Sequence, residues 1–366
     1  MGVDEDEDAV LTSVDRGSTW SYTLQAHASD PDVIFDNSGL AYWIFIDKAA
    51  GVTSVRVSRD GGRSWSAKTL LADRLDHAQL TVDRSPASPY FGRVYVTGRD
   101  IRHGGIVTFQ TDNAGRRWER HAAEAEGPLR LGFVYAGAVS DRGVLLIPAQ
   151  GAQSVSVGHD GTFAGASSQA FVLRSTDGGR SFSRAFVASL ISPPHSGAGG
   201  FFGVSNLAFG RVGDKQRAYV AFVESNGAGP QRLMLTASDD GGRSWTTPVS
   251  ITGADSEGAG AGSMSLAVAP DGTLGIQYFL IRPDGAFTLQ FTSSADGGRN
   301  FAPPLSVTTG PSNASAQRQP RWIGQDQVLF DVDKQGVFYT VWTDSRDRGG
   351  ASLIAYMRAI HTAATR

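Results

Sequence analysis

The sequence predicts an all-β protein built from four-stranded antiparallel units repeated along one chain, and three observations carry that prediction. A turn signature returns at long period, strand pairs with tight glycine turns alternate with it, and 45 of the 366 residues are glycine. That glycine content suits a chain that reverses direction every few residues. The signature is Ser/Thr-x-Asp-x-Gly-x-Ser/Thr-Trp/Phe. It fits Ser13–Trp20, Ser58–Trp65 ("SRDGGRSW"), Ser175–Phe182 and Ser238–Trp245, and Ser294–Phe301 fits with Asn300 at the hydroxyl position. Thr111–Trp118 is a degenerate copy in which Asn113 replaces the Asp and Arg117 the hydroxyl. The starts at 13, 58, 111, 175, 238 and 294 are spaced by 45, 53, 64, 63 and 56 residues.

Taken in order, each element has a local reason. The run Asp4 to Asp8 reads as part of a solvated, disordered acidic tail over 1–8, leaving one domain over 9–366. "AVLTS" and "SYTLQ" read as strands flanking the first turn signature. In each signature a short carboxylate such as Asp60 accepts N–H groups of its own turn, a glycine such as Gly62 supplies positive φ, and the closing aromatic starts the next strand. Between the signatures, "PDVIFDNSGLAYWIFI", "AGAVSDRGVLLIPA", "SLAVAPDGTLGIQYFL" and "VLFDVDKQGVFYTVW" read as strand, tight turn, strand. "QLTVDRSPASPYFGRVYVTG" and "NLAFGRVGDKQRAYVAF" do the same with longer turns. Six strand pairs alternating with the signatures make a six-bladed β-propeller, closed by pairing of N- and C-terminal strands, with seven blades the alternative. Two oversized loops, 151–170 and 190–203, are rich in Gly and Ser, and the second carries Phe201 and Phe202.

Composition excludes several chemistries. The chain has no cysteine, which removes disulfides, a thiolate nucleophile and Cys-ligated zinc. A net charge of −3 argues against a general nucleic-acid binder, and no segment approaches the roughly 18 apolar residues of a membrane helix. Phosphate-loop, His-Glu-x-x-His and Gly-x-Ser-x-Gly motifs are lacking, and the histidines form no metal spacing, so no cofactor or metal is expected. The acidic start lacks the pattern of an export signal. The expectation is a monomer, secreted or periplasmic with its signal removed.

The turn signatures resemble the Asp-box, or bacterial neuraminidase, repeat of sialidase-like proteins over nearly the whole chain, and "VWTDSRDRGG" is similar to the last blade of many of them. The resemblance implies a propeller with its boxes on the outer rim, opposite a ligand-binding mouth. Loops entering the innermost strands then hold His27, Asp30, Asp76, His77, Arg130, Phe201, Phe202, Ser263, Arg318 and Arg321. Loops after the second strands hold Lys48, Asp100, Arg102, His103, Glu224, Arg282 and Arg346. So charged a set suits a polar, hydroxyl-rich or anionic ligand, in first place a glycan. Sialidase chemistry uses three arginines, a Tyr nucleophile paired with a Glu, and an Asp acid. Candidates here are Tyr278, Glu224 and Asp76 as catalytic groups. Arg282, Arg318, Arg321, Arg346, His77, Asp30, Arg102, Phe201 and Phe202 are the substrate-binding candidates. The family's Arg-Ile-Pro motif is absent; the matching strand opens "SDPDVIF". The reading is therefore a sialidase-like glycoside hydrolase with a divergent centre. The alternatives are a non-catalytic propeller that binds carbohydrate or protein, and a lyase or biosynthetic cyclase using the same mouth.

Overall fold

The computed structural model describes residues 7–71, 73–124, 130–152, 156–157, 163–164, 168–190, 203–224, 232–251, 260–282, 286–313, 329–344 and 354–362. All regular structure among them is β, and no helix is long and apolar enough to cross a membrane. The chain divides into two compact units, Met1–Ala149 with Leu173–Arg184, and Gln150–Val172 with Ala185–Arg366.

In the first unit β1 (Glu7–Thr12) pairs with β2 (Ser21–Ala26). The first blade runs in sequence order through β3 (Ala28–Phe35), β4 (Ala41–Asp47), β5 (Val52–Ser58) and β6 (Thr69–Leu70). The second repeats it with β7 (Leu75–Val82), β8 (Val94–Asp100), β9 (Ile106–Thr111) and β10 (Glu119–Glu124). The third blade comprises β11 (Arg130–Val134), β12 (Ala138–Val139) and β13 (Leu145–Ala152), then, after the ribbon β14 (Ser156–Val157) and β15 (Phe163–Ala164), β16 (Ser168–Ser175) and β17 (Ser183–Leu190).

The second unit continues the pattern. Its blades are β18 (Ala208–Val212), β19 (Lys215–Glu224), β20 (Arg232–Ser238) and β21 (Val249–Ser250), followed by β22 (Gly260–Val268), β23 (Leu274–Ile281), β24 (Ala286–Ser294), β25 (Leu305–Ser306) and β26 (Ser312–Asn313). The sixth holds β27 (Leu329–Val332), β28 (Val337–Asp344) and β29 (Ile354–His361). These are the six antiparallel sheets of a six-bladed β-propeller, as the sequence predicts.

The signatures fold as expected. In the first blade Ser58 Oγ donates to Asp60 Oδ1 at 2.8 Å, and Ser64 donates its N–H to Oδ1 at 2.9 Å and its hydroxyl to Oδ2 at 2.6 Å. The degenerate copy keeps the Oδ1 half: Thr111 Oγ1 and the Arg117 N–H both reach Asn113 Oδ1 at 2.9 Å. The signatures of the second, third and fifth blades also dock on the blade before them. Trp118, which closes the second-blade turn, packs on the cluster of Tyr42, Val55, Leu80 and Val96 between the first two blades, and Phe301 packs likewise on Tyr219, Leu235 and Leu274. Arg93 clamps Asp112 of its own blade through two 2.6 Å bonds and donates to the Gly178 carbonyl of the next turn at 2.9 Å. In the second unit Arg217 repeats this with Asp239 and Gly297.

The innermost strands are tied sideways. Asp32 accepts the Leu80 N–H at 2.7 Å, joining β3 to β7. Asn206 does the same for β22, receiving the Leu266 N–H at 2.7 Å and donating to its carbonyl at 2.9 Å. These ties fix the register in which the innermost strands present their first residues.

Candidate functional site

The innermost strands of the first, second and fifth blades carry a bulge at the same place. Pairing of β3 with β4 skips from Ser29–Ile46 to Asp32–Ile44, so Asp30 and Pro31 face Phe45 alone. In β7 it skips from Asp76–Arg99 to Gln79–Thr97, leaving His77 and Ala78 opposite Gly98. In β22 the skip leaves Ser263 and Met264 opposite Tyr278. A proline that cannot donate to a ladder fits such a position. Asp30 and His77 thus occupy equivalent bulge sites in adjacent blades, and both adopt left-handed backbone, with φ of 53° and 49°. His27, just before β3, does so too at 55°. Left-handed conformations are strained for side chains other than glycine, and they concentrate where a side chain must be aimed.

Asp30 and His77 belong to a compact group of charges in the first unit. The His77 N–H bonds to the Asp30 carboxylate. Asp30 is exposed, yet protein crowds its carboxyl. That crowding raises its pKa; His77 and Lys48 offset part of the rise, and Asp76 adds to it. Asp8, on β1, is only 8% exposed, and burial with the nearby Asp30 charge pushes it up to about 6 against the pull of Lys48. Its Oδ2 has no hydrogen-bond partner among the described residues. The His77 ring stands edge-on to Phe133 of β11, centroids 4.6 Å apart.

Sequence reasoning placed Asp30, Asp76 and His77 in loops entering the innermost strands. The structure sets them inside the strands, on or beside the bulges, and brings all three together. Asp8, assigned to the acidic tail, is the residue that reasoning missed, because a run of like charges carries no local sign of burial. Arg102 is exposed and donates to the Gly51 carbonyl at 3.0 Å, linking the first two blades.

Among the other candidates, Glu224 is half-buried at the end of β19, and Arg282 is exposed at the hairpin after β23, its N–H on the Ala286 carbonyl at 2.7 Å. Tyr278 is 2% exposed within the apolar cluster of the fourth and fifth blades, where burial pushes its phenol up to about 12. Phe201, Phe202, Arg318, Arg321 and Arg346 lie outside the described residues.

One further charged group needs a reading. The ligand atoms of Asp73, Asp100 and His103 lie close enough to hold an ion. Arg120 already bridges the two carboxylates, through Nε to Asp73 and through Nη2 to Asp100 at 3.4 Å, and His103 Nδ1 bonds Asp100 at 2.8 Å. A cation supplied by the chain thus occupies the place of a metal, and the group is an ion-pair network.

No family model and no curated relative matches the sequence. Solved structures do match. The intramolecular trans-sialidase from Ruminococcus gnavus, in complex with oseltamivir carboxylate, aligns with a TM-score of 0.50 at 11% identity over 74% of this chain and 82% of that one. The Hadza microbial sialidase Hz136 aligns at 0.52 and 14% over 93% and 69%. A protein of unknown function from Dyadobacter fermentans aligns at 0.51 and 12% over 91% and 93%. At such identities the likeness establishes the six-bladed propeller fold.

Proposed function

We propose that this chain is a glycan-active propeller, a glycoside hydrolase whose acid is Asp30. The observation that carries the reading is Asp30 itself: a carboxyl held in left-handed backbone, open to solvent, raised by its surroundings and set beside a second carboxyl, Asp76. Glycosidic cleavage needs one carboxyl that keeps its proton near neutral pH, to protonate the leaving oxygen, and another that activates water or stabilises the oxocarbenium-like transition state. In this reading Asp30 gives the proton, Asp76 serves the attacking water, and His77 holds Asp30 through its backbone N–H. A module that only binds sugar needs aromatic platforms and amides, and has no use for a strained, paired carboxyl. The fold shared with solved sialidases supports a glycan as ligand, by analogy of fold. The absent Arg-Ile-Pro motif and the buried Tyr278 speak for a centre unlike theirs.

A panel of fluorogenic glycosides, sialosides included, assayed with wild type, Asp30→Asn and Glu224→Gln tests this. Asp30→Asn is expected to lose about 10²–10⁴-fold in kcat on glycosides with poor leaving groups and much less on dinitrophenyl glycosides, which need no acid. Glu224→Gln retains turnover. Full activity in Asp30→Asn, or loss confined to Glu224→Gln, would sink the assignment.

A further inference from the structure

We infer that Asp8 is a ligand-recognition residue and that the sugar it receives is hydroxyl-rich or amino-bearing, not acidic. This rests on the reading that the Asp30 cluster is the glycan site, and it names the substrate class of that site.

The first argument is the place of Asp8. Alternation along β1 puts Asp8, Val10 and Thr12 on one face. Val10 packs on Ala28, Trp43 and Phe45 of the first blade, and the Thr12 hydroxyl donates to the Gly62 carbonyl at 3.0 Å. The strand is therefore seated along that face, and the Asp8 carboxyl is delivered to the charges of Asp30 and Lys48. It arrives there buried, with Oδ2 lacking a donor. Other buried atoms, Tyr95 Oη and Tyr219 Oη among them, lack partners too, but Asp8 Oδ2 is the carboxyl oxygen of that group among the described residues. It sits on a side chain that feels the exposed, strained Asp30, so the missing donor is given to a ligand. Sugar hydroxyls and ammonium groups are such donors; a ligand carboxylate is not.

The second argument is charge. Among the described residues of the first unit, the groups acting on Asp30 or Asp8 are the carboxyls Asp8, Asp30 and Asp76 against Lys48 and His77. A sugar acid would add a further negative charge. An amino sugar would bring a positive charge to the Asp8 carboxyl, and a neutral one would bring none.

Isothermal titration with 1-deoxynojirimycin, glucosamine and N-acetylneuraminic acid, using wild type, Asp8→Asn and Asp8→Ala, provides the test. The expected result is wild-type Kd values at least tenfold lower for the first two ligands than for the sugar acid. Asp8→Ala should weaken them tenfold or more. Asp8→Asn, which keeps an acceptor without charge, should weaken the two amine-bearing ligands and fold even if Asp8→Ala does not. Tighter binding of N-acetylneuraminic acid, no binding of any of the three, or Kd values within twofold in both variants would overturn the inference. Titration needs no turnover, so amine binding lost in Asp8→Asn by a protein that hydrolyses nothing would uphold this site and reject the hydrolase. Asp30-dependent sialoside hydrolysis would do the reverse.

Discussion

In five of the six turn signatures a single carboxylate organises the turn. In the fourth blade Asp240 accepts the Ser238 hydroxyl at 2.8 Å, the Arg243 N–H at 2.9 Å, and the Ser244 N–H and hydroxyl at 3.0 and 2.6 Å. Burial works against ionisation there, but the Ser244 and Ser238 bonds prevail and hold the carboxyl at about 2. The degenerate copy shows what an amide can retain, since Asn113 Oδ1 still collects a hydroxyl and an N–H. Asp240→Ala leaves four donors without their acceptor at a partly solvated turn, where water replaces some of the loss. It should destabilise by about 1–3 kcal/mol in urea unfolding, and Asp240→Asn by roughly half as much. Equal losses in the two variants would mean that the charge, and not the acceptor geometry, holds the turn.

Between elements, the same turn is the joint by which one blade grips the last. Gly179 has φ +86°, and a Cβ there would lie 2.8 Å from Cε1 of Tyr95, a fully buried ring of the preceding blade. Gly61, at φ +76°, would meet nothing within 4 Å. Gly61→Ala therefore carries backbone strain alone, about 1 kcal/mol, whereas Gly179→Ala adds the clash and should cost about 3 kcal/mol; calorimetry distinguishes them. Arg93 is the polar half of the joint, with Asp112, Gln110 and Gly178 on one guanidinium. Arg93→Lys cannot reproduce that fork and should lower stability by about 2–4 kcal/mol, with chemical denaturation as the check. The turn itself was legible from the spacing of the signature, because turn chemistry is local: Asp, Gly and hydroxyl at fixed offsets dictate one geometry wherever they occur. The docking of Trp118 and Phe301 on the blade before was not legible, because the signature specifies a turn and not what lies beneath it.

At the scale of the molecule, the charged group proposed as the site was half legible. Asp30, Asp76 and His77 could be found because repeat counting locates the start of every innermost strand. Asp8 could not, since its burial depends on where β1 is seated, and Tyr278 read as a nucleophile because a strand tyrosine looks the same in a core as in a mouth. The two populations of aspartate make a prediction about the whole chain. Asp15, Asp60, Asp177, Asp240 and Asp296 are lowered from 3.8 to about 2 by their turn bonds. Asp8 and Asp32 are raised from 3.8 to about 6, in each case chiefly by burial. A lowered carboxyl stabilises the fold above its unfolded value and loses that contribution as the pH falls from about 4 through 2. A raised one does the opposite: the fold prefers it protonated, so stability is fully present below about 4 and is lost as the pH climbs through 6. The Tm should therefore rise as the pH is lowered from 7 towards 5, pass a maximum between about 4 and 5, and fall steeply below. Asp8→Asn removes one of the raised groups responsible for the upper limb, Asp30 and Asp83 being raised as well, so its Tm should change less between pH 7 and 5, by about 2 °C, while the acid limb stays where it is. Differential scanning fluorimetry from pH 3 to 8 reads both limbs. A wild-type Tm that declines steadily from pH 7 to 4 would show that burial does not raise Asp8 and Asp32, and would remove the physical ground for an Asp30 carboxyl raised by its surroundings.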